Sequence, residues 1–235
     1  MSEWAPKRFW TSAAAVPAEA GFTVHLDARP VRTPAKAALI VPTEAMAQAI
    51  AVEWDAQTGT LRPETMPLTR MANSAIDKVA VLQPQVVAEV AGFGGSDLLC
   101  YRADAPEDLV ARQARGWDPV LDWAADHLQA PLLRTAGVMH VAQPEASLAT
   151  LTAHVAAHDP FRLTALHDLV AITGSLVLGL AIARGHLTPE AAWTLARIDE
   201  DFQAEQWGVD EEAAEQAALR RQALLDSARF LGLCG

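Results

Sequence analysis

Basic residues are in short supply. Eighteen Lys and Arg face 29 Asp and Glu, a formal net charge of −11, and the densest basic cluster is the pair Lys7-Arg8. A protein that grips nucleic acid needs a basic patch to displace counterions from phosphates, so that class of partner is excluded. Cysteine is nearly absent. Cys100 and Cys234 lie far apart without metal-like spacing, which excludes a disulfide framework and reads as the reduced thiols of a cytosolic protein. The one glycine-rich loop, Gly92-Phe93-Gly94-Gly95-Ser96-Asp97, lacks the lysine and spacing of a phosphate cradle and reads as a turn between helices. The one long apolar run, Leu169 to Ala183, falls short of the roughly 20 residues of a membrane span. It reads as part of one buried helix, Pro160 to Arg184, with Gly174 and Gly179 permitting close packing. Met1-Ser2-Glu3-Trp4 carries an early acid and no apolar run, so neither a secretory signal nor an Arg-rich transit peptide is expected.

What is present is apolar mass. Hydrophobic residues make up 51% of 235, enough for a substantial core. The first sixty or so residues differ in texture from the rest. Gly21 to Leu26 alternates like a half-buried strand, Asp27 to Pro30 reads as a turn, Val31 to Thr33 as an edge piece and Ala38 to Val41 as a third short strand. Thr43 should cap a helix reaching about Gln57, with Met46, Ile50 and Trp54 on one face. After Pro67 helical spacing dominates. Helices are expected from Thr69 to Leu82, from Pro84 to the glycine loop, and from a capping arrangement at Asp104–Glu107 to His127, with Pro119 as a kink or restart. Further helices are expected from Pro144 to Ala157, from Thr188-Pro189 through the acidic stretch, and from Asp210 to Phe230. Leu132 to Val141 reads as irregular or briefly extended. The fold class is therefore α+β, mainly α: a small N-terminal α/β domain with short antiparallel strands over residues 1–64, then a helical domain over 65–235.

The candidate site is Ala196-Arg197-Ile198-Asp199-Glu200-Asp201-Phe202-Gln203-Ala204-Glu205-Gln206-Trp207-Gly208, an acidic patch with a large aromatic and a helix-stopping glycine. Ala191, Leu195, Ile198 and Phe202 recur at helical spacing and should face a core, leaving Asp199, Glu200, Asp201 and Glu205 on a strongly negative side edged by Trp207. Acids there suit a surface that meets another macromolecule. They also suit a solubilising face, and Glu205 with a histidine could serve a small hydrolase-like enzyme, the alternative carried forward. His154 and His158 have the spacing of metal ligands, but no acid lies between them and no metal is expected. No nucleotide site or other cofactor motif is present. Of the seven tryptophans, Trp4, Trp10 and Trp207 are expected near the surface.

Several segments resemble one family in order and spacing. They are Lys7-Arg8-Phe9-Trp10, Leu26-Asp27 with Arg29-Pro30-Val31-Arg32-Thr33-Pro34, and Met66-Pro67-Leu68-Thr69-Arg70-Met71-Ala72-Asn73. Ser96 to Arg102, Gln113 to Pro119, Thr173 to Leu180, and Gln203 to Gly208 continue the series. The chain resembles the ATP-twelve family, assembly chaperones for the alpha subunit of the ATP synthase catalytic head. Ala28 departs from the Gly expected in the Asp-Gly-Arg-Pro turn. The resemblance implies a non-enzymatic protein that binds unassembled alpha, prevents its aggregation and yields it to beta. It implies an α+β N-terminal domain and a helical C-terminal orthogonal bundle. It places a functional acid at Asp199, where the family pattern has Glu; Glu200, Asp201, Glu205 and Trp207 extend the site on physical grounds. A bacterial cytoplasmic member, with no cofactor, small-molecule substrate or membrane span, is the expectation.

Overall fold

The computed structural model describes residues 7–137 and 139–235; the expectation for Trp4 lies outside them. Near the N-terminus, β1 (Ala13–Ala18), β2 (Gly21–Leu26) and β3 (Arg29–Pro30) form an antiparallel sheet in that order. Ala13 pairs with Leu26 and Ala18 with Gly21. The alternation of Gly21–Leu26 is realised as β2, with Val24 and Leu26 buried. β1 was not expected. β3 falls at Arg29–Pro30, where a turn is expected, whereas the edge piece Val31–Thr33 and the third strand Ala38–Val41 form no ladder, only isolated bridges of Arg32 to Ala38 and of Val41 to Phe22. Proline has no N–H for a ladder, which limits what Pro30 and Pro34 can continue.

Helix α1 (Glu44–Asp55) packs on β1 and β2. Thr43 caps it by accepting from the Met46 amide at 3.1 Å, as its position predicts. Met46 and Ile50 are fully buried. The same helix carries a buried acid that hydropathy does not anticipate. Glu53 accepts from the Leu68 and Thr69 amides and from the Thr69 hydroxyl, at 2.7–2.8 Å. Those amides open α2 (Pro67–Ser74), whose own cap position, Met66, has no oxygen to offer. A carboxylate from one helix thus caps the next. Burial pushes the Glu53 carboxyl up, and its three donors pull it back.

α2 runs into a π-helical turn, Ala75–Val79. Then follow α3 (Gln83–Gly92), the two-residue strand β4 (Tyr101–Arg102), α4 (Glu107–His127), and β5 (Thr135–Ala136), which pairs parallel with β4. α4 passes through Pro119 as one helix, and the cap expected from Asp104 is absent: Pro106 holds that position without a side-chain bond. α5 is Glu145–Ala156 and α6 is Pro160–Thr173.

The single helix expected from Pro160 to Arg184 is two. Gly174 takes φ +70°, a left-handed conformation that suits glycine. Ser175 then accepts from the Leu178 amide at 3.0 Å and caps α7 (Leu176–Ala183). Gly179 permits close packing as expected, since a Cβ there would stand 2.5 Å from Val170 Cγ2. The acidic stretch also divides, into α8 (Pro189–Ala196) and α9 (Ile198–Trp207), with Arg197 between them. The last helix, α10, is Glu211–Gly232.

By backbone packing the chain forms two units. Among the described residues, one comprises 7–83 with 160–165 and 229–235; the other comprises 84–137 and 139–159 with 166–228. Packing draws the first unit past residue 64 because α2 lies against α1. No helix among the described residues is long and apolar enough to cross a membrane. Trp10 is 4% exposed rather than at the surface, edge-on to Trp54 at 5.3 Å. Arg8 explains this: its guanidinium donates to the carbonyls of Asp55 and Gln57 and binds the N-terminal stretch to the end of α1.

Candidate functional site

The acidic helix is held by α4. Gly116 on α4 opens a gap in which the Ile198 and Leu195 side chains lie; a Cβ there would meet Ile198 Cδ1 at 2.8 Å and Leu195 Cδ2 at 3.0 Å. One residue on, Trp117 is fully buried and donates its indole N–H to the Leu195 carbonyl at 2.8 Å. That carbonyl lies at the open C-terminal end of α8, where no further helical turn uses it. The corner between α8 and α9 is therefore fixed by shape at Gly116 and by polarity at Trp117. Ile198 and Phe202 are buried beneath α9 as their spacing predicts, while Ala191 and Leu195 are half-buried.

The acids do not form one uniform negative face. Asp199 is half-buried and accepts from the Gln113 side-chain amide at 2.6 Å. Gln113 is itself buried, and its amide oxygen accepts from Ala103 N–H at 2.8 Å. Asp201 takes a bond from Arg197 at 3.1 Å, one helical turn back. Glu205 is exposed and joined to Arg112 by two parallel bonds of 2.8 and 2.7 Å. Those bonds hold the Glu205 carboxyl below the usual carboxylate range and raise Arg112 in return. Arg112 also lies over the Phe202 ring, 5.5 Å from its centroid. Glu200 points to solvent. All three acids of the first turn sit at the positive end of the α9 dipole, which favours them there.

Two consequences follow. Asp199 is not a neutral surface acid: removing its oxygen strands a buried amide, at a cost of about 1–3 kcal/mol. Glu205 carries a fixed positive partner and a lowered proton affinity, the opposite of what a general acid needs at neutral pH. Trp207 ends α9 at 80% exposure, and Val209 beyond it is 72% exposed. Apolar surface thus adjoins the acids. The five residues singled out by sequence lie within one short helix. The residues that hold it, Arg112, Gln113, Gly116 and Trp117, come from a segment far back along the chain. Three of them fall in the Gln113–Pro119 motif.

A second constellation brings two other motifs together. Asp97 is fully buried. Its oxygens accept from the Leu99 amide and the Val177 amide, each at 3.0 Å, and also from Ser175 and Leu176. Desolvation raises its carboxyl from the ordinary range, and these donors oppose that rise. The Leu98 amide donates to the Gly174 carbonyl at 3.1 Å, closing the two loops on each other. This is the Glu53 device again, a buried acid from elsewhere capping a helix start. Cys100, beside it, is pushed up to about 12 by burial and is inert as a nucleophile. His154 is committed to structure: Arg184 donates to its Nδ1 at 2.8 Å, and its Nε2 lies 3.0 Å from the Leu128 carbonyl. Among the described residues no group of three or more His, Cys, Asp or Glu is placed to hold a metal ion.

Comparison with known proteins bears on what such a surface serves. A family model described as ATP12 chaperone protein matches residues 7–125. The mitochondrial protein atp12 of Schizosaccharomyces pombe is 24% identical over 225 residues, covering 89% of this chain and 76% of that protein. The crystal structure of Atp12 from Paracoccus denitrificans is 55% identical, with a TM-score of 0.96 over 99% of this chain and 100% of that one. A candidate chaperone from Agrobacterium tumefaciens is 45% identical, with a TM-score of 0.94 over 98% of this chain and 87% of that one.

Proposed function

This chain belongs to the ATP12 chaperone family, and from that premise we propose that it binds the unassembled alpha subunit of the ATP synthase catalytic head, prevents its aggregation and hands it over for pairing with beta. The observation that carries this reading is α9. It presents Glu200 to solvent, Asp201 in a half-buried ion pair and Glu205 in an exposed one, and Trp207 almost fully exposed at its C-terminal end. An acidic rim beside an exposed aromatic is the composition of a recognition surface: charge steers encounter and register, and the apolar residue supplies affinity. Asp199, Glu200, Asp201, Glu205 and Trp207 form the proposed alpha-binding site, with Asp199 positioned by Gln113. The proposed setting is a bacterial cytoplasm, in line with relatives from Paracoccus and Agrobacterium. No small molecule, nucleotide or nucleic acid takes part in this account, and the protein acts as a chaperone, not an enzyme.

Glu200 provides the cleanest test, because it is exposed and its replacement disturbs no buried partner. Glu200→Lys should cost no more than about 1 kcal/mol of stability, from losing an acid at the helix start, and slow association with purified alpha subunit about tenfold at low salt, with the difference shrinking as salt rises. Association at the native rate with both variants of a Glu200→Lys, Trp207→Ala pair would remove α9 from the interface.

A further inference from the structure

The first half of α10 is exposed over most of its surface. From Glu211 to Ala223 each residue is exposed except Ala217, which is half-buried. Leu219 is 65% exposed, and Val209, just before the Asp210 cap, is 72% exposed. A helix in water normally keeps an apolar stripe against something. Here Ala213, Gln216, Leu219 and Ala223 share one side, together with Glu212 and Arg220. At 3.6 residues per turn these six span about one third of the circumference.

The order of these residues is self-complementary. When a second, identical helix is laid antiparallel with the two-fold axis through Gln216, Glu212 faces Arg220 and Arg220 faces Glu212. Ala213 faces Leu219 on both sides, and Gln216 meets Gln216. Such an arrangement closes on itself, as an isologous contact must. Alanine opposite leucine allows the two backbones to approach without a clash. Arg220 spends one nitrogen on the Ile172 carbonyl at 2.8 Å and keeps the rest of its fork for a carboxylate.

We propose that two copies of this protein pair through the exposed half of α10, covering Leu219 when no other partner is bound. The contact is small, and each copy carries −11, so the pair is weak and concentration-dependent.

Sedimentation equilibrium of the full chain over a concentration series tests this. The expected result is a reversible monomer–dimer equilibrium that Leu219→Asp weakens at least tenfold without moving the unfolding midpoint. Glu212→Arg alone and Arg220→Glu alone should each be monomeric, and an equimolar mixture of the two should dimerise again, because each then offers the charge that the other lacks. Arg220→Glu also loses the bond to Ile172, so Leu219→Asp and Glu212→Arg carry the test if that variant unfolds. A native protein that stays monomeric to several hundred micromolar, or a dimer that Leu219→Asp and Glu212→Arg leave intact, would overturn the proposal. The assay contains no alpha subunit, so its outcome is independent of client binding.

Discussion

Replacing Asp97 by alanine is expected to remove about 3–5 kcal/mol of stability, a large part of the roughly 5–15 kcal/mol that holds a domain together. The cost is that of stranded donors. Two α7 amides, the Leu99 amide and Ser175 all point at one carboxylate in a region closed to water. Alanine leaves them without an acceptor and leaves space where the carboxylate stood. The amides at the start of α7 cannot turn to another partner, because they are fixed by the helix that follows. Asp97→Asn should cost less, since one oxygen remains, but its NH2 then faces a donor. Urea unfolding measures both. The midpoint of the alanine variant should fall with little change in slope. A loss below about 1 kcal/mol would mean that another acceptor satisfies the α7 start.

The second large effect is expected at Gly116. Gly116→Leu forces a branched side chain into the gap filled by Ile198 and Leu195. The result should be about 1–3 kcal/mol of overpacking strain and a displaced α8–α9 corner. Displacement takes Asp199 away from Gln113 and Glu205 away from Arg112, so alpha binding should fall by more than tenfold while the rest of the fold persists. Gly116→Ala is the informative contrast. The atoms its Cβ meets are the ends of flexible side chains, 2.8 and 3.0 Å away. They can swing aside, and alanine favours the helix by about 1 kcal/mol over glycine. Alanine should therefore be close to neutral in both stability and binding. Equal binding by the leucine variant would show that the position of α9 is not set by this contact.

These two residues also mark what the sequence could and could not convey. Local chemistry was legible: the Thr43 cap, the alternation of Gly21–Leu26, and the apolar ridge of Ile198 and Phe202 all appear where spacing puts them. β1 was not legible, because Ala13-Ala14-Ala15-Val16-Pro17-Ala18 has no alternation and Val16 as its one strand-forming side chain. It is extended because β2 pairs with it, a tertiary effect that outweighs propensity. The break at Gly174 carried a readable signal, glycine followed by a capping serine, but the unbroken hydropathy around it obscured it. The acidic row was legible as composition, whereas its electrostatics were not. Asp199 and Glu205 take their character from Gln113 and Arg112, 86 and 93 residues earlier. Periodicity reports which side of a helix is buried, and says nothing of what lies opposite. The buried acids Glu53 and Asp97 escaped for the same reason: a carboxylate that caps a distant helix looks, in sequence, like any other charge.

The most direct measurement of the central claim is aggregation of alpha subunit diluted from denaturant, followed by light scattering with and without this protein, with beta subunit added afterwards. The account predicts suppressed scattering at a one-to-one ratio, a soluble complex that Glu200→Lys forms more slowly, and release of this protein as beta binds. Unchanged alpha aggregation in the presence of folded protein would contradict it.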